Sequence, residues 1–162
     1  MAKIEGKILN VEALKRVSRK LRQAGKKIVT TNGTYDILHA GHILSLEEAR
    51  SFGDVLIVGV NSNASTRSYK GPLRPIYDER ERALMVAGHQ GVDYVYIFDE
   101  FVPEILLRAA RPHIHTTGID WKGKVPEQAV CDELGIEIRF LRKFPGFSTT
   151  EVIRKIKQLP DA

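Results

Sequence analysis

At 162 residues with 43% hydrophobic content, the chain is long enough for one domain with a sizeable core, and a second domain is not expected. The formal net charge of +5 admits nucleic acid as a partner. However, the basic residues are spread along the chain without an aromatic-interleaved patch, so a small polyanionic substrate is expected in place of nucleic acid. No apolar run reaches the length of about eighteen residues that a spanning helix needs, which excludes that class of membrane protein.

The amino terminus, Met1-Ala-Lys-Ile-Glu-Gly-Lys-Ile8, lacks the apolar stretch of a signal peptide, so a cytoplasmic protein is expected. Residues 1–25 read as a lead-in to the domain. Within them Val11 to Gln23 form a helix, with Asn10 as its cap and Gly25 as its stop. Leu14, Val17, Leu21 and Ala24 give it one apolar face, and Lys15, Arg16, Arg19, Lys20 and Arg22 cover the remainder.

Ile28 to Thr31 read as a short buried strand that breaks at Asn32-Gly33 and leads through His39-Ala-Gly-His42 into a helix ending near Ser51. In an open α/β sheet, ligands sit at the carboxyl end of such a strand. The helix that follows aims free N–H groups and its positive dipole end at an anion. One helical turn places His39 and His42 on the same side, and Gly41 between them carries no side chain to hold a phosphate away. Taken alone, the pair also suits two surface side chains or two ligands of a structural metal.

Asp54 to Asn61 is an unbroken apolar run, the pattern of a parallel strand buried on both faces. Thr66 to Pro75, with Gly and Pro breakers and several cations, reads as a mobile basic loop above the same sheet edge and as a phosphate clamp. Tyr77 to Ala87 starts a helix with acidic residues in its first turn, closed by Gly88. Val92 to Phe98 is a third strand, and Glu104 to Ala110 a helix started by Pro103 and closed before Pro112. Ile114 to Thr117 is a fourth strand, opening into Gly118-Ile-Asp-Trp-Lys-Gly123. Pro126 to Leu134 is helical with Gly135 as its stop, Glu137 to Leu141 is a fifth strand, and Thr149 to Gln158 is the last helix. The lone Cys131 falls in a helical pattern, where a buried thiol is expected over a catalytic one. Strands alternating with helices at regular intervals predict an α/β fold, a single-domain doubly wound parallel sheet of five strands spanning 1–162.

The last strand-to-helix junction, Gly146-Phe-Ser-Thr-Thr150, puts hydroxyls and free N–H groups at another helix start, suited to a second anion or to a plain cap. Taken together, these two stretches carry a resemblance. Gly33-Thr-Tyr-Asp36 with His39-Ala-Gly-His42, and Gly146-Phe-Ser-Thr-Thr150, resemble the first and closing signatures of the cytidylyltransferase-like nucleotidyltransferase superfamily. Val60-Asn-Ser-Asn-Ala-Ser65, Lys70-Gly-Pro-Leu-Arg-Pro75 and Gly91-Val-Asp-Tyr-Val95 are similar to the heptose 1-phosphate adenylyltransferase domains of bifunctional heptose synthases. Two stretches depart from that group. Thr117-Gly-Ile-Asp-Trp121 stands where those enzymes usually carry Lys-Gly-Gly-Asp-Tyr, and Asp120-Trp-Lys-Gly123 looks instead like glycerol-3-phosphate cytidylyltransferases. Those cytidylyltransferases keep an arginine shortly before the closing motif, and here either Arg142 or Lys143 stands near that place.

The resemblance implies transfer of a nucleoside monophosphate, from ATP or CTP, to a phosphomonoester, with release of pyrophosphate and with Mg²⁺ accompanying the triphosphate. It implies His39, His42 and Lys70 as catalytic residues. Thr31, Asn32, Gly33, Thr34, Gly41, Gly118, Asp120, Phe147, Ser148, Thr149 and Thr150 are then nucleotide-binding. Asp36, Arg82, Trp121, Arg142 and Lys143 are expected at the acceptor. Trp121 either stacks on the base or fills space. No carboxylate cluster calls for a dedicated metal site, and a homodimer is typical of the resembled family. His113 and His115 are expected to serve packing or the substrate pocket. A nicotinamide, pantetheine or flavin precursor as acceptor, and a non-catalytic nucleotide-binding module, are the competing readings.

Overall fold

In the computed structural model, which describes residues 2–160, five parallel strands lie in the order β3-β2-β1-β4-β5. Met1, Asp161 and Ala162 of the expected domain fall outside the described residues. The strands are β1 (Ile28–Gly33), β2 (Val55–Asn61), β3 (Tyr94–Phe98), β4 (Ile114–Gly118) and β5 (Glu137–Leu141). The helices are α1 (Ala2–Glu5), α2 (Val11–Gln23), α3 (Ala40–Arg50), α4 (Asn63–Lys70), α5 (Glu79–Ala87), α6 (Glu104–Ala110), α7 (Gln128–Leu134) and α8 (Thr149–Ile156).

β2 is buried at every position because both of its faces are covered. Leu56, Val58 and Val60 pack with Leu46 and Ala49 of α3 and with Ala83, Val86 and Ala87 of α5. Val55 and Ile57 alternate to the other face, where they join Leu14 of α2 and Leu106, Ala109 and Ala110 of α6. A third cluster, Leu107, Val130, Cys131 and Ile136, seats α7. There burial pushes the Cys131 thiol up to about 12, the environment of an inert thiol.

The order of strands reverses at β1, whose neighbours β2 and β4 lead to opposite sides of the sheet. A crevice opens at the carboxyl ends of two strands whose connections run in opposite directions, and that point here lies between β1 and β4. The chain therefore delivers the β1–α3 loop and the turn after β4 to one place.

Two elements differ from the sequence expectation. Residues 66–70, expected as loop, belong to helix α4, because the Ser62 side chain accepts from the Ser65 N–H at 3.1 Å and starts the helix. Only the segment from Gly71 to Tyr77 is irregular. The lead-in also does more than supply α2. Ile8 bridges Val95 on the outer strand β3, and Lys7 donates to the carbonyls of Ala87 and Val92 at 3.0 and 2.7 Å, so the lead-in partly covers an open sheet edge.

Candidate active site

His39 is the N-cap of α3, and its ring stacks on that of His42 with centroids 3.8 Å apart and planes 23° from parallel. Both imidazoles are held below the ordinary histidine pKa by burial. His42 is brought down to about 4, with the nearby His39 and Lys70 adding to the effect. Near neutral pH both rings are therefore uncharged, each with one N–H to donate. His42 Nδ1 accepts a long hydrogen bond from the His39 backbone N–H at 3.4 Å, which leaves the ring proton on Nε2. Among the described residues, His39 Nδ1 is buried without a hydrogen-bond partner.

Gly41, next to this pair, is buried. A Cβ there would stand 2.9 Å from the Phe147 Cβ and 3.0 Å from the His39 ring, so only glycine allows the first and last loops to approach this closely. The same approach is fixed by a hydrogen bond across 113 residues of sequence, from the Thr149 hydroxyl to the Asp36 carbonyl at 3.0 Å. Ser148 caps α8 by accepting from the Glu151 N–H at 3.1 Å.

Two cavities meet at this junction. The larger, about 590 Å³, is lined by His39, Gly41, His42, Gly118, Asp120, Arg142, Lys143, Phe147 and Ser148, among others. The smaller, about 250 Å³, is lined by Asn32, Gly33, Thr34, Lys70, Gly118, Trp121 and Glu127, among others. Gly118 lines both. Lys70, on the smaller cavity, adds to the depression of the pKa of His42, on the larger. Partial burial, with Arg74 and Arg82 nearby, holds the Lys70 ammonium below the ordinary lysine value.

Other expected site residues are placed elsewhere. Arg82 is completely buried, and its guanidinium donates to the carbonyls of Thr34 and Tyr77 and to Asn63 Oδ1 at 2.6, 3.0 and 3.0 Å. It ties the β1 loop to α4 and α5 and does not reach a substrate. The buried carboxylate of Asp36 is likewise engaged, accepting from Arg74 Nε at 2.7 Å and from the Ile76 and Tyr77 N–H groups at 3.0 and 3.1 Å. The loop from Arg74 to Tyr77 hangs on it, and it lines neither cavity. Its neighbours Tyr35 (52°) and Ile37 (53°) have positive φ, a backbone that non-glycine residues rarely adopt.

Thr31 faces into the sheet, with its hydroxyl donating to the Thr116 carbonyl at 3.2 Å, so it is a strand residue and not a phosphate ligand. Thr149 spends its hydroxyl on Asp36, and Thr150 is exposed outside both cavities. Arg142 and Lys143, expected at the acceptor, line the larger cavity beside the closing motif. There Arg142 pairs with Glu48 at 3.0 Å and Lys143 with Asp120 at 3.0 Å. Trp121 stands on the smaller cavity.

His113 accepts from the Ile28 N–H at 3.0 Å, and the fully buried His115 meets the Thr30 hydroxyl at 2.9 Å, so both serve the sheet. Sequence reasoning missed Glu127, a buried carboxyl on the smaller cavity, because a glutamate before a helix carries no signal of its own.

Residues 30–155 match the cytidylyltransferase-like family model. The chain belongs to that family. It is 43% identical over 151 residues to the bifunctional protein HldE of Wolinella succinogenes and 44% identical over 157 residues to that of Campylobacter curvus. Those alignments cover 93% and 96% of this chain and 31% and 32% of the relatives, so the chain spans about a third of their length. Among solved structures, a lipopolysaccharide core biosynthesis protein from Thermoplasma volcanium GSS1 matches with TM-score 0.61 and 32% identity, covering 74% of this chain and 98% of that one. Pantoate-beta-alanine ligase from Francisella tularensis, at TM-score 0.62 and 15% identity, shares the fold. No helix among the described residues is long and apolar enough to cross a membrane.

Proposed function

We propose that the chain transfers a nucleoside monophosphate, from ATP, to a sugar phosphate such as D-glycero-D-manno-heptose 1-phosphate, releasing pyrophosphate. The observation that carries this reading is the meeting of the two family motifs, with Phe147 against Gly41 and Thr149 bonded to Asp36, around a stacked pair of neutral histidines.

In this reading the larger cavity takes the triphosphate and the smaller one the acceptor, with the α-phosphorus at their boundary. An anionic oxygen of the acceptor phosphate forms the new bond to that phosphorus as the bond to the bridging α,β oxygen breaks, and the electron pair leaves with pyrophosphate. No proton has to be removed from the nucleophile, so positioning and charge stabilisation supply the catalysis. His39 and His42 donate N–H groups to phosphate oxygens, and Lys70 neutralises charge from the acceptor side. Ser148 and the first turn of α8 receive the far end of the triphosphate, assisted by Arg142 and Lys143.

Mg²⁺ arrives with the triphosphate as part of the substrate. The buried carboxylate of Asp36 is engaged with Arg74 and two backbone N–H groups. A sugar phosphate is preferred as acceptor because the relatives at 43% and 44% identity are HldE proteins and the solved relative at 32% identity is described by lipopolysaccharide core biosynthesis. A cytoplasmic homodimer belongs to the same reading, and its mass in solution tests the assembly.

The experiment is pyrophosphate release from each nucleoside triphosphate with heptose 1-phosphate, glycerol 3-phosphate and nicotinamide mononucleotide. ATP with the heptose phosphate is expected to give the fastest release. CTP with glycerol 3-phosphate as the fastest pair would move the chain to the polyol enzymes that Asp120-Trp-Lys-Gly123 resembles. Absence of release with every pair would overturn the transferase. His39→Ala and His42→Ala should each lose roughly tenfold to a thousandfold in turnover with unchanged circular dichroism, the loss expected when a transition-state donor is removed.

A further inference from the structure

Glu127 stands at the N-cap position of α7, yet its side chain caps nothing. Glutamate is not among the preferred capping residues, so bonds from its carboxyl to the helix are not expected, and a purely structural role would pair the buried oxygens elsewhere in the protein. Instead, among the described residues, Oε2 is buried with no hydrogen-bond partner, and Oε1 meets the Nδ2 of Asn32 at a long 3.5 Å. The residue is 5% exposed and lines the smaller cavity. Asn32 reaches the same cavity from the carboxyl end of β1, and Trp121 and Lys70 also line it. Burial raises the carboxyl's pKa, outweighing the opposite pull of its own backbone N–H and of Asn32.

The cavity therefore has a cation at one place, an aromatic face at another and an incompletely bonded carboxyl–amide pair at a third. Phosphate does not explain the carboxyl, since two anionic groups repel. Hydroxyl groups do, because neighbouring hydroxyls can donate to the two carboxyl oxygens while the amide of Asn32 donates to a sugar oxygen.

We propose that Glu127, with Asn32, is the specificity-determining pair that recognises the hydroxyl groups of a polyhydroxylated phosphomonoester, whose phosphate turns towards Lys70. This rests on the assignment of the smaller cavity to the acceptor. Rejection of analogues follows from the same geometry. A ligand lacking the hydroxyls leaves the buried pair unsatisfied, and such mismatches discriminate strongly.

Calorimetric titration of the whole chain with heptose 1-phosphate, inorganic phosphate and ATP in separate experiments tests it. In the wild type, heptose 1-phosphate should bind at least tenfold tighter than inorganic phosphate. Glu127→Ala should weaken heptose 1-phosphate roughly tenfold to a hundredfold, while inorganic phosphate and ATP change by less than about threefold. Glu127→Gln, which keeps the shape and an acceptor oxygen, should lie between. An unchanged heptose 1-phosphate affinity in Glu127→Ala would overturn the assignment, as would an equal loss for all three ligands or a wild type that does not prefer the sugar phosphate to inorganic phosphate. ATP binding by the wild type is read separately. Its absence would count against the transferase, whereas the ratio of heptose 1-phosphate to inorganic phosphate would still decide the role of Glu127.

Discussion

Gly41 shows how much a single side chain can exclude. The residue is helical and the backbone is unstrained, so alanine would favour the helix itself. The cost lies in the added methyl, which would stand 2.9 Å from Phe147 and 3.0 Å from His39 and would push the closing loop off the histidine loop. Gly41→Ala is therefore expected to keep the fold, with a stability change of about 1–3 kcal/mol, and to lose about a hundredfold in turnover, as displacements near 1 Å do at a reacting centre. Pyrophosphate release and urea unfolding measured on the same sample check this. Near-normal turnover would mean that the approach of Phe147 to Gly41 is not part of the site.

At the scale of elements, the connections between β1, α4 and α5 depend on one buried cation. Among the described residues no carboxylate is bonded to Arg82, and its three acceptors are two carbonyls and an asparagine oxygen. Replacement by methionine keeps much of the volume but strands those acceptors away from water, at roughly 1–3 kcal/mol for each buried group left unsatisfied. Arg82→Met should lower the urea midpoint by an amount equivalent to at least about 2 kcal/mol, and Arg82→Lys should not rescue it, because a point charge cannot reproduce the fork. An unchanged midpoint with a raised KM for the acceptor would restore the direct substrate contact that the sequence suggested.

For the molecule as a whole, acid should be a stronger denaturant than the surface charge implies. His115 is fully buried, and burial lowers its pKa from 6.5 to about 4. The unfolded chain therefore binds a proton that the folded one refuses. This stability contribution is fully present above about pH 6.5 and is lost as pH falls towards about 4, where the loss amounts to roughly 3 kcal/mol. His42 titrates in the same direction over the same window. Stability followed by urea unfolding between these limits should fall with decreasing pH, and His115→Asn should reduce the slope whatever it does to the absolute value. A flat profile in the wild type would contradict the burial of these rings as the controlling effect.

Much of this architecture was legible in the chain because its signals are local. The apolar run of β2, the Asn10 cap and the glycine stops need no distant partner to be read, and α2, α6 and β5 fall where their periods put them. The extent of α4 was hidden by the Gly and Pro residues that follow it, which end the helix and do not prevent it. The two anion-suited motifs could likewise be found separately. Sequence by itself determined the alternation of strands and helices and which residue types stand at each strand's end, since hydrophobic period and capping chemistry act over a few residues. Only the tertiary structure decided that Arg82 and Asp36 face protein, that one expected cradle is two adjoining cavities, and that Glu127 shares the smaller one with Asn32. Those outcomes depend on which side chains meet across 38 to 113 residues of chain, a distance over which no local pattern carries information.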